Sequence, residues 1–103
     1  MEGFELVPTE QIMRCDADNN YTYLFLKNNS RIVACRSIKE IEEQLQVFPF
    51  FIRVHHSHIV NLNEVTKYVR GEGGYVVLSD GFSVNVSRSR KDSLLNILKL
   101  NKH

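Results

Sequence analysis

Long apolar runs are missing from this sequence. No stretch approaches the roughly 20 consecutive apolar residues of a membrane-spanning helix, and the opening MEGFELVPTE is acidic and mixed, unlike a secretory signal. A membrane association is therefore not expected, and the default compartment is the cytoplasm. Cysteine is scarce as well. Cys15 and Cys35 fall in strand-like segments without C-x-x-C spacing, which predicts two free, half-buried thiols in preference to a disulfide. Net charge is only +1, which excludes an indiscriminate polycation. Also absent are the G-x-S-x-G elbow, a phosphate-cradling glycine loop and H-E-x-x-H. Helix-turn-helix, zinc-finger and RNP signatures are missing too. These absences predict a non-enzymatic protein without a cofactor.

What is present suits one globular domain. The chain has 103 residues, 43% hydrophobic and 24% charged, so it is long enough for a real core and too short for two domains. Charge is unevenly placed: residues 1–51 carry five Lys/Arg against eight Asp/Glu, and residues 52–103 carry eight against four, −3 and +4. A basic face built from the second half and a solvated surface without a partner both fit this asymmetry.

The first half reads as short strands, FELVP, QIMRCD, YTYLFL and RIVACR, separated by the turn-forming clusters DADNN and KNNS. YTYLFLKNNSRIVACR has the form of a hairpin. In SIKEIEEQLQ, Ser37 followed by Glu40 makes a capping box, and Ile38, Ile41 and Leu45 share one helical face. Pro49 marks the return to extended chain. FFIRV, VTKYVR, YVVLS and FSVNV then read as strands, the later ones joined by GEGG and by the Asp80-Gly81 turn. From Ser87 the period changes to that of a helix, with Leu94, Leu95, Ile97 and Leu98 as its apolar stripe. Its first turn carries Arg88, Arg90 and Lys91, against the helix dipole. A docked anion would resolve that mismatch, as would solvation at small cost.

FIRVHHSHIVN, residues 51–61, concentrates three of the four histidines. Zinc needs three or four converging ligands. On a regular strand His56 and His58 share a face while His55 points away, leaving two. Ser57 between two histidines makes a poor catalytic triad for the same reason. Alternation breaks here: Ile52 and Val54 set an apolar face, polar residues fill 55–58, and Ile59 and Val60 are both apolar. A bulge or exposed strand end presenting imidazoles to a partner is the third reading.

Taken together, IMRCDADNNYTYLFL, SIKEIEEQL, FIRVHHSHIVNLNEVTKYVRG and FSVNVSRSRKDSLLNIL resemble successive blocks of the LytTR DNA-binding domain, the output module of many bacterial two-component response regulators. The resemblance runs over about residues 3–98 and is carried by R-V-H-x-S-x-I-V-N, the strand-ending V-S-R and the Asp/Asn-rich loop before Y-T. It implies an elongated, mainly-β fold of short antiparallel sheets with one short mid-chain helix and a C-terminal helix. It implies sequence-specific reading of double-stranded DNA, at paired half-sites, by three projecting segments. These fall on Asn19, Asn20 and Tyr21; on His56 with Arg53 and His58; and on Arg88, Ser89 and Arg90, with Lys91 beside them. Family members often carry arginine, lysine or a polar residue in place of His56, and often a second arginine in place of Ser89. A sensor histidine kinase acting through a receiver domain, and dimerisation on DNA, are implied partners. No receiver pattern occurs in this chain, so a single LytTR-like domain over 1–103 is expected, either excised or free-standing. The competing expectation is a protein-interaction module that pairs a partner to the FFIRV and YVVLS strand edges.

Overall fold

A computed structural model describes residues 7–100. Eight strands and two helices follow in order: β1 (Ile12–Asp18), β2 (Tyr21–Leu26), β3 (Arg31–Ala34), α1 (Ile38–Leu45), β4 (Phe51–His55), β5 (His58–Asn61), β6 (Val65–Val69), β7 (Tyr75–Leu78), β8 (Ser83–Asn85) and α2 (Arg88–Leu100). They form a five-stranded sheet of order β3-β2-β1-β5-β4 and a three-stranded sheet of order β6-β7-β8, every pairing antiparallel. The molecule is elongated, 47 × 25 × 24 Å. This is the expected mainly-β architecture. The strand expected at FELVP lies outside the described residues except for Val7 and Pro8, which lead into a short 3-10 turn at Thr9–Gln11.

Both faces of the larger sheet are covered near β1 and β5. One face sets Ile12, Cys15 and Ile59 against Ile38, Ile41 and Leu45 of α1. The other sets Met13, Val54 and Val60 against Val76, Leu78, Val84 and Val86 of the smaller sheet and Leu94 of α2. A strand buried on both sides cannot alternate apolar with polar residues. That is why Ile59 and Val60 are consecutive apolar residues in β5. The capping box forms at the start of α1: Ser37 Oγ accepts from the Glu40 amide at 3.2 Å while Glu40 Oε1 accepts from the Ser37 amide at 3.1 Å. The expected YTYLFL–RIVA hairpin and the β6-β7-β8 meander are both present.

Four expectations need correction. DADNN is not all turn: Asp16, Ala17 and Asp18 extend β1 opposite Tyr23, Thr22 and Tyr21, leaving Asn19-Asn20 as the turn. Asn19 has φ 56°, a left-handed conformation that asparagine tolerates. Residues 51–61 are not one interrupted strand but a hairpin, reversing at His56-Ser57 with His55 opposite His58. The cysteines are both free but unequally placed, Cys15 buried and Cys35 exposed. Burial pushes the Cys15 thiol up to about 12, with Asp16 adding to the effect, so it is an inert core residue. Finally, YVVLS has no free edge, because β7 lies between β6 and β8. β4 is an edge strand, yet its Val54 carbonyl already accepts from the Ser87 amide at 2.8 Å.

Candidate nucleic-acid interface

Antiparallel pairing decides where the polar turns meet. β1 lies between β2 and β5, so the end of β1 faces the start of both neighbours. The Asn19-Asn20 turn and the His56-Ser57 turn therefore share one end of the sheet, about two strand spacings or roughly 10 Å apart. Backbone bonds tie them together: the Ala17 amide donates to the Ser57 carbonyl at 2.8 Å. The Ser87–Val54 bond brings the start of α2 to the far side of β4, beside the same hairpin. All three expected segments thus stand in a row across one end of the five-stranded sheet.

Within that row the candidate side chains differ in availability. Asn19, Asn20 and Tyr21 are exposed, Tyr21 by 48%. His56 is the only exposed residue of the stretch 51–61. Ser89 and Arg88 are exposed, Arg88 forming a 2.7 Å pair with Glu72. Glu72 is held there by the GEGG turn, in which Gly73 packs so closely on the Val86 carbonyl that a Cβ would come within 1.9 Å of it. Arg90 is half-buried and has no ion-pair partner among the described residues. It lines a cleft of about 220 Å³ together with Glu42, Phe51, Arg53 and Ser93. Lys91 lines a separate cleft with Tyr68, Arg70 and Lys99, so the structure divides the basic first turn of α2 between two sides.

Two candidates are engaged within the fold. His58 Nδ1 lies 2.8 Å from Asp16 Oδ1, and the other oxygen of Asp16 accepts from Arg14 Nε at 3.1 Å. Arg14 is nearly buried and lies between two rings, its guanidinium carbon 3.9 Å from the centroid of Phe25 and 3.5 Å from that of Phe82. Arg53 is bonded through all three of its guanidinium nitrogens, to Glu42 and to the hairpin turn. Sequence reasoning missed Glu42, Glu72 and Asp16. No local signal marks Asp16, which meets His58 across 42 positions.

His55 sits at the centre of the cluster. Its ring stands 4.2 Å from that of His56 and 5.1 Å from that of His58, centroid to centroid, and its Nδ1 accepts from the Ser57 amide at 3.1 Å. Partial burial, then the proximity of His56, His58, Arg53 and Arg90, holds its pKa below the ordinary histidine value. A neutral imidazole is the form that Nδ1 acceptance requires. Among the described residues, no group of three or more His, Cys, Asp or Glu side chains is arranged to hold a metal ion, and none of their helices is long and apolar enough to cross a membrane.

The two antiparallel sheets and the elongated shape define a small, mainly-β domain whose polar turns converge at one end. The family model of the LytTr DNA-binding domain matches residues 2–99, and the chain belongs to that family of DNA-binding domains. Among solved structures it is similar to a domain described as the LytTr DNA-binding domain of a methyl-accepting/DNA response regulator from Bacillus cereus. The identity is 26% and the TM-score 0.78, over 89% of this chain and 84% of that one. No curated protein matches the chain.

Proposed function

We propose that this domain binds double-stranded DNA sequence-specifically, as the non-enzymatic output module of a bacterial transcriptional regulator working in the cytoplasm. The observation that carries the reading is the row of three polar segments at one end of the sheet, Asn19 to Tyr21, His56, and Arg88 to Arg90, each where an element begins or ends whose apolar side is in the core. Arginine forks match guanine edges, and amide side chains match adenine. The exposed Asn19-Asn20 and the two arginines supply both chemistries. His58 and Arg53 act from within the fold, and Lys91 acts on the phosphate backbone. Paired half-sites, dimerisation on DNA and control by a sensor histidine kinase through a receiver domain complete the proposal.

The β7 position in mid-sheet removes one of the two strand edges on which a protein-interaction reading rests. Selection of bound duplexes from a random library tests the DNA reading. A recurrent motif, lost on Arg88→Ala or Arg90→Ala while scrambled DNA is still bound, is the expected outcome. Retention without sequence enrichment would reduce the domain to a nonspecific electrostatic binder, and no retention would reject the reading.

A further inference from the structure

We propose that Arg53 is a positioning residue that locks the β4–β5 turn so that His56 is presented to DNA, with Glu42 of α1 as its anchor. The inference rests on the reading of His56 as a DNA contact, and it withdraws Arg53 from the contacts themselves. Arg53 Nε donates to the His55 carbonyl at 2.8 Å, Nη2 to the His56 carbonyl at 2.6 Å, and Nη1 to Glu42 Oε1 at 2.7 Å. Its side chain is only 11% exposed. Three of its five N–H donors are spent on two successive carbonyls and a carboxylate, and a side chain so little exposed offers the remaining two scant surface from which to reach a base or a phosphate.

The rest of the turn is fixed in the same manner. The Ser57 carbonyl accepts from the Ala17 amide, and the Ser57 amide donates to His55 Nδ1. The carbonyls of residues 55, 56 and 57 therefore each have a partner inside the domain, and the His56 side chain alone faces out. The turn sequence HHS contains neither glycine nor the Asn-Gly pair that stabilises a two-residue reversal by itself. The clamp supplies from side chains what the turn residues lack. A recognition group must be held by such supports to read a base edge.

Two measurements on the whole chain test this. Backbone order parameters of the free protein come first: Arg53→Gln is expected to lower them at His56 and Ser57 from about 0.85 to below about 0.6, with the strands unchanged. Glu42→Gln, which keeps the arginine, gives a smaller drop and serves if Arg53→Gln does not fold. A turn as rigid as the parent's in the folded variants overturns the clamp. The second measurement is affinity for the selected duplex. His56→Ala and Arg53→Lys should each weaken binding about tenfold, the worth of one base contact. Adding Arg53→Lys to His56→Ala should cost less than about twofold more. Full additivity overturns action through His56. Arg53→Gln should leave the salt dependence unchanged, and a slope reduced by about 0.9 would make Arg53 a phosphate contact instead. Parent-like binding by His56→Ala overturns the His56 reading, and the order parameters then decide the clamp separately.

Discussion

Arg88 and Arg90 stand two positions apart at the start of α2 in different electrostatic settings. Arg88 shares its charge with Glu72, both groups highly exposed at 73% and 81%, whereas Arg90 faces the histidine cluster without an acidic partner among the described residues. An exposed pair contributes little to stability, but Glu72 places a negative charge where phosphates would approach. Glu72→Gln should leave the melting temperature within about 1–2 °C and raise DNA affinity a few-fold at low salt, measured by fluorescence anisotropy. His55 gives a second residue-scale expectation. Because folding lowers its pKa, the unfolded chain binds the His55 proton more readily. Stability from this group is then complete above the unfolded value of about 6.5 and is lost as pH falls from there towards the folded value. Urea titrations at pH 7.5 and 5.5 should show a smaller acid loss for His55→Gln than for the parent, and an identical loss would exonerate His55.

Elements were legible where their signals are local. Ser37 and Glu40 mark the start of α1 within four residues, Asp80-Gly81 marks the β7–β8 turn with Gly81 at φ 86°, and the helix period appears at Ser87. The β4–β5 hairpin was not legible, because HHS carries no turn chemistry of its own and relies on Arg53, Glu42 and Ala17. Strand order was equally hidden, since β1 finds β5 across four intervening elements and no periodicity encodes that partner. The β7–β8 turn also illustrates a long-range role. Phe82 at its tip reaches the larger sheet and covers the guanidinium of Arg14, although 42% of the ring residue remains exposed. Phe82→Ala should therefore cost about 1–2 kcal/mol, more than its exposure suggests, because a desolvated cation–π contact is lost along with packing between the sheets. Urea unfolding with an unchanged m-value checks it.

At the scale of the molecule, a net charge of +1 conceals a polar arrangement of charge. The acidic first half contributes Asp16 and Glu42 as internal anchors, and the basic second half supplies Arg88 and Arg90 at the end where the turns converge, with Lys91 on a separate flank. The three proposed contact segments were recognisable as sequence blocks, yet their alignment in one row depends on β1 pairing with both β2 and β5. Arg53 and His58 have the same chemistry as the proposed contact residues, and it is their partly buried partners on α1 and β1 that set them apart. Binding through so few free cations implies a modest counterion release. With about four phosphates neutralised, affinity should fall about a hundredfold between about 50 and about 200 mM salt, following a slope of about −0.9 per contact. Lys91 faces the flank that carries Arg70 and Lys99, away from the histidine turn, where it has no base edge to read. Lys91→Ala should consequently weaken cognate and scrambled DNA alike and make the slope shallower by about 0.9. Anisotropy titrations across that salt range measure both quantities. A loss confined to cognate DNA would move Lys91 into the base-reading row, and an unchanged slope would remove it from the interface.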